Sequence, residues 1–200
     1  MNSAGFLSVW IVAGAIFLVV LAVALRWVYR KLGKRRAWTM IRAEREDNKN
    51  RFTRSAGSFA AIAQQLQTNR AAIEALRTRT DISQESLAAL VVWNCDLPDF
   101  NSAAWQTVRR TGLNRLFKAC EEREVEELYT DFCVLHASMA KVRREIETES
   151  RHARAGSAET APQWVADELE RIQAVRIAHD KLGAEMRYFT HLHTDFVPTV

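Results

Sequence analysis

The chain opens on an unbroken apolar stretch, Ala4 to Leu25, of 22 residues without a charge. As a helix it would measure roughly 33 Å at a rise of 1.5 Å per residue, enough for a hydrocarbon core of roughly 30 Å. The polar pattern changes abruptly behind it. Arg26, Arg30, Lys31, Lys34, Arg35 and Arg36 crowd its C-terminal end, whereas Met1 to Ser3 carry no charged side chain. Basic residues flanking a span stay on the cytoplasmic side, so the pattern predicts an N-terminus outside and a body in the cytoplasm. Trp27, Tyr29 and Trp38 suit the headgroup layer at that boundary. A cleaved signal peptide would need a basic start and a shorter apolar core. Neither is present, so the stretch is expected to be a retained anchor.

From Arg26 to about Arg79 the chain reads as helix with a seven-residue pattern. Trp38, Phe52, Phe59, Leu66 and Ile73 fall at one heptad position, and Ile41, Ile62 and Leu76 at a second. Arg45, Asn48, Ser55 and Asn69 interrupt the seam. Such a seam calls for a partner helix, and polar residues within it can fix register or oligomer state. The partner could equally be another protein, a second copy, or the chain's own helices.

A short helix is expected over Ser83–Asn94, with Asp81 and Gln84 at its start. Pro98 breaks the chain, and Asp99 or Asn101 is placed to cap a helix over Ser102–Arg110, which Gly112 would stop in the left-handed region. A long helix is predicted from Leu113 to Arg151, where Val125, Leu128, Phe132, Leu135, Met139, Val142 and Ile146 step by 3 and 4 without a miss. After a loop at Arg154–Pro162, Thr160 and Gln163 form a capping box and Pro162 suits a first turn. The last helix carries Val165, Ile172, Val175, Leu182, Met186, Phe189 and Phe196, with His179 and His193 in the same seam, and Pro198 should end it. No segment alternates at period two. The expected class is all-α: a single N-terminal transmembrane helix, then a cytoplasmic antiparallel helical bundle with a coiled-coil-like stalk. The anchor is assigned to 1–30, the basic juxtamembrane segment and stalk to 31–80, and the bundle to 81–200.

Charge sharpens this picture. Residues 26–79 hold 14 Lys or Arg against 4 Asp or Glu, a balance of +10; the whole chain is +4, so residues 80–200 stand at −6. The basic half begins at the membrane, where each basic residue near anionic headgroups contributes about 1 kcal/mol. Arg26, Arg30, Lys31, Lys34, Arg35 and Arg36 are therefore assigned to anionic-lipid contact, with membrane lipids as partners. Nucleic acid is not expected, because Arg70, Arg77 and Arg79 are scattered. Cys95, Cys120 and Cys133 are odd in number and on the cytoplasmic side, so reduced thiols packed in helices are expected.

Candidate chemistry is thin. No phosphate-binding Gly motif and no Gly-x-Ser-x-Gly elbow occurs. His191 and His193, with Asp195 beyond, point apart on a helix. Cys133 and His136 share a face but need two more ligands for zinc. The acidic run from Glu121 to Glu127 suits a solvated helix start. His179 and His193 could titrate as pH sensors, although neutral rings hydrogen-bonded across helices are the expectation. No catalytic residue, cofactor or metal is assigned. The expected function is a non-enzymatic, membrane-anchored adaptor or assembly subunit at a cell inner membrane. It would present its cytoplasmic helical surface to protein partners, or self-associate through the Trp38–Leu76 seam. The alternative is a membrane-tethered sensor or defence-type effector.

Overall fold

The computed structural model describes residues 3–77, 91, 93, 95–155 and 161–194, with side chains in the first helix from Ala13 onward. All regular structure among them is helical. Four α-helices follow in order: α1 (Ser3–Leu76), α2 (Ala103–Arg110), α3 (Ala119–Ala155) and α4 (Ala161–Leu192), with a 3-10 turn, Leu113–Leu116, before α3. The N-terminal part of α1 is long and apolar enough to cross a membrane. None of its apolar window is covered by the rest of the chain: Phe17, Leu18, Val23 and Leu25 are all exposed.

The chain divides into two compact units. The first comprises Met1–Glu44 and Ala103–Val125. Its core is Ala37 and Ile41 of α1 against Trp105, Val108 and Phe117. Trp38 lies with its ring centroid 5.2 Å from that of Phe117. At the start of α2 the Glu44 carboxylate accepts the Ala104 N–H at 2.8 Å. A carboxylate there both satisfies an orphan donor and faces the positive end of the helix dipole. Gly112 takes the left-handed conformation foreseen for it (φ 70°).

The predicted helix over Leu113–Arg151 is interrupted. Leu113–Leu116 is a tight turn, Phe117 is extended, and α3 begins only at Ala119, running on to Ala155. Glu121 sets this start, accepting the Lys118 N–H at 2.8 Å, which is half of a capping box.

The second unit comprises Arg45–Ser102 and Glu126–Val200. Phe52, Ile62, Leu66, Ile73 and Leu76 of α1 are buried, as are Phe132, Leu135, Met139, Val142 and Ile146 of α3. From α4 come Val165, Ile172, Val175, Leu182, Met186 and Phe189. Each such side chain contributes roughly 1.5–3 kcal/mol on burial. The three helices meet at one aromatic cluster, where Phe189 lies 5.2 Å from Phe52 and 5.3 Å from Phe132.

A non-helical strap, 95–102, is laced to α1 by side chains reaching its backbone. Ser58 Oγ donates to the Asp96 carbonyl at 2.7 Å and Arg51 Nη1 to the Asp99 carbonyl at 2.7 Å. Asn48 donates to the Asn101 carbonyl at 2.7 Å and accepts the Asn101 N–H at 2.8 Å. Arg143 of α3 secures the other side, donating to the Leu97 carbonyl and, at 2.6 Å, to Asp99 Oδ1.

Most of the helix expected over Ser83–Asn94 lies outside the described residues; Val91 and Trp93, which are described, are not helical. Thr160 of the expected capping box and Phe196 also lie outside. α4 ends at Leu192, short of Pro198, with the His193 N–H closing the last turn on the Phe189 carbonyl at 2.9 Å. The thiols are free but not packed in helices as expected. Cys95 sits in the strap, where burial pushes its thiol up, and Cys120 and Cys133 are exposed on α3.

Candidate functional site

The residues assigned to lipid contact separate into two groups. Successive turns of α1 bring Trp27, Arg30, Lys31 and Lys34 onto one face. There they line a shallow recess of about 340 Å³, completed by Arg115 and Leu116 from the 3-10 turn. Arg26, Arg35 and Arg36 are exposed outside it. Gly33 explains how the turn comes so close: a Cβ there would meet Leu116 Cδ1 at 2.8 Å and Leu113 Cδ2 at 3.2 Å. A tether acts one turn further on. Lys34 Nζ donates to both carboxylate oxygens of Glu121, at 2.7 and 2.9 Å, and holds that carboxyl below the usual carboxylate range. Lys31 Nζ lies 4.8 Å from the Trp27 ring centroid, a cation–π distance. Among the described residues no carboxylate lines the recess. Arg115 is the member that sequence reading missed, being far from the basic collar along the chain.

The seam residues are used within the chain. Ile41, Phe52, Ile62, Leu66, Ile73 and Leu76 are buried, and Trp38 is half-buried against Phe117. Phe59 stacks on His179 at 3.8 Å between centroids. His179, only 5% exposed, places Nε2 3.0 Å from the Phe59 carbonyl, so that nitrogen carries the proton and donates. His193 Nε2 lies 2.8 Å from Asp131 Oδ2. Two of the apparent interruptions, Asn48 and Ser55, are wholly buried and satisfied, Ser55 by donating to the Phe52 carbonyl at 2.6 Å.

The spacing of α3 carries one step past Ile146 to Glu149, and that of α4 passes from Val165 to Glu168 before Ile172. Both carboxyls are buried, at 1% and 0% exposure. Trp93 Nε1 donates to Glu149 Oε2, and His152 Nδ1 lies 2.9 Å from Glu168 Oε2. Among the described residues the remaining oxygen of each carboxyl has no hydrogen-bond partner. Loss of water on burial, reinforced by Glu168, pushes Glu149 up to about 9, so it is a neutral acid at neutral pH. Protonation spares the pair the repulsion between two buried carboxylates.

Other groupings are weaker. A cleft of about 500 Å³ between α1 and α4 is lined by Leu66, Arg70, Arg77, Ile172 and Arg176. Arg70 is paired with Glu74 at 2.8 Å and Arg176 with Asp180 at 3.8 Å. Cys133 and His136 share a small recess with Phe100 and Phe132, and His136 Nδ1 is 3.6 Å from Asp99 Oδ1. Among the described residues no three His, Cys, Asp or Glu side chains gather to hold a metal ion. Compared with protein families, curated proteins and solved structures, the chain has no match in any of the three.

Proposed function

We propose that this chain is a single-pass, membrane-anchored, non-enzymatic adaptor or assembly subunit. Its N-terminus lies outside a cell inner membrane, and its cytoplasmic body is an antiparallel helical bundle that offers a surface to protein partners. The observation that carries the reading is α1 itself. One helix, Ser3–Leu76, bears an uncovered apolar run at one end and a buried core stripe at the other. A body grown from the same rod as its anchor is held at the bilayer. The basic collar at 26–36 supports the cytoplasmic side.

Because the Trp38–Leu76 seam is filled by the chain's own helices, partner binding moves to an outer surface. Ile177, Tyr188 and Leu192 are large, apolar and exposed on α4, and their spacing of 11 and 4 places them on one face. The test is gentle detergent solubilisation of the full chain tagged after Val200. A protein partner should copurify in fixed ratio and be lost on combining Ile177→Glu with Tyr188→Glu. A lone monomer from native membranes would contradict the adaptor reading.

A second reading, a membrane-tethered sensor, is favoured by the buried pair Glu149 and Glu168 beside His152. Its mark would be partner retention that changes with pH and becomes insensitive in Glu149→Gln.

A further inference from the structure

We propose that Arg30, Lys31 and Arg115 form a headgroup subsite that takes the phosphate of an anionic phospholipid. The inference deepens the anchored reading and rests on it. Depth comes first. Residues 27–34 lie roughly 3 to 13 Å past Leu25 along a helix rising 1.5 Å per residue. The polar layer on each side of the hydrocarbon is about 5–8 Å thick. The recess thus opens at the level where lipid phosphates sit.

Chemistry comes second. Among the described residues, four cations line the recess and no carboxylate does. Lys34 is committed to Glu121 at 2.7 Å, and Glu122, the next carboxylate along, accepts from Asn114 Nδ2 at 2.8 Å. That leaves Arg30, Lys31 and Arg115, all exposed, facing one space with their charge uncompensated by the recess walls. Phosphate oxygens match arginine N–H groups in charge and in forked geometry.

Construction comes third. Diffuse attraction to an anionic surface needs only the collar on α1, and Arg26, exposed outside the recess and next to the apolar run, serves it as well as Arg30. Arg115 comes from a different element, placed by the Gly33 approach and fastened by the Lys34–Glu121 tether. A second wall makes a site that can distinguish one headgroup from another. Trp27 and Leu116 add apolar surface to the lining.

The experiment uses the full chain reconstituted into lipid nanodiscs of phosphatidylcholine with a minor fraction of phosphatidylglycerol, followed by native mass spectrometry of the lipids retained. Wild-type protein should retain phosphatidylglycerol in preference to phosphatidylcholine. Arg115→Gln should weaken that preference by roughly fivefold, the worth of one basic contact at a membrane surface. Arg26→Gln removes the same charge at the membrane face but outside the recess and should leave the preference within twofold of wild type. Equal losses in the two variants would overturn the subsite, leaving only diffuse attraction. Soluble glycerol phosphate at millimolar concentration should not displace the lipid; displacement would assign the recess to a free phosphate compound instead. Failure to enter the bilayer at all would overturn both the anchor and the subsite, whereas entry without an Arg115-dependent preference would overturn the subsite alone.

Discussion

Glu149 is the residue whose chemistry is furthest from its ordinary behaviour. It binds its proton more tightly in the folded chain, at about 9, than the ordinary 4.5 of a free glutamate. The stability it lends is therefore whole below about pH 4.5 and is lost as pH climbs toward about 9. The slope from one such group is at most about 1.4 kcal/mol per pH unit. Thermal melts across that window should show wild-type Tm falling faster with rising pH than Glu149→Gln, which keeps the shape and cannot ionise. Parallel curves for the two proteins would mean that Glu149 is ionised throughout. His179 has a different part. Donating to the Phe59 carbonyl under a stacked ring, it links α1 and α4. His179→Leu should lower Tm by removing that hydrogen bond and ring stack; an unchanged Tm would mean that the link adds no stability.

At the scale of elements, the strap gives the sharpest contrast between pattern and structure. Heptad logic reads Asn48 as a defect that leucine would repair. In the structure Asn48 exchanges two hydrogen bonds with the backbone of Asn101, 53 residues away. Asn48→Leu should therefore destabilise the body by about 1–3 kcal/mol, the cost of leaving such groups unmet, as read by denaturant melts in detergent. A gain in stability, or a new oligomer, would restore the heptad account.

The apolar stripes of α3 and α4 were legible because periodicity reports burial directly. Seven positions from Val125 to Ile146 were all found buried. The same rhythm continues to Glu149 and includes Glu168, but an apolar template stops at a carboxylate, so the acid pair went unseen. The strap left no trace because bonds from side chains to backbone have no period. The Leu113–Leu116 turn imitated the start of α3: its leucines are three apart and no proline marks the break at Phe117. Arg115 could not be joined to the collar without knowing that Gly33 admits that turn.

For the whole molecule, one helix unites an uncovered oily end with a buried body stripe. The Trp38–Leu76 seam is spent inside the chain, so removing the anchor should release a body that keeps its helical circular dichroism. The direct test is an alkaline carbonate wash of membranes from cells expressing the full chain. The account predicts that the protein stays in the membrane pellet, as a lipid-spanning helix must, while a chain lacking residues 1–36 appears in the supernatant. Release of the full-length protein by the wash would contradict it.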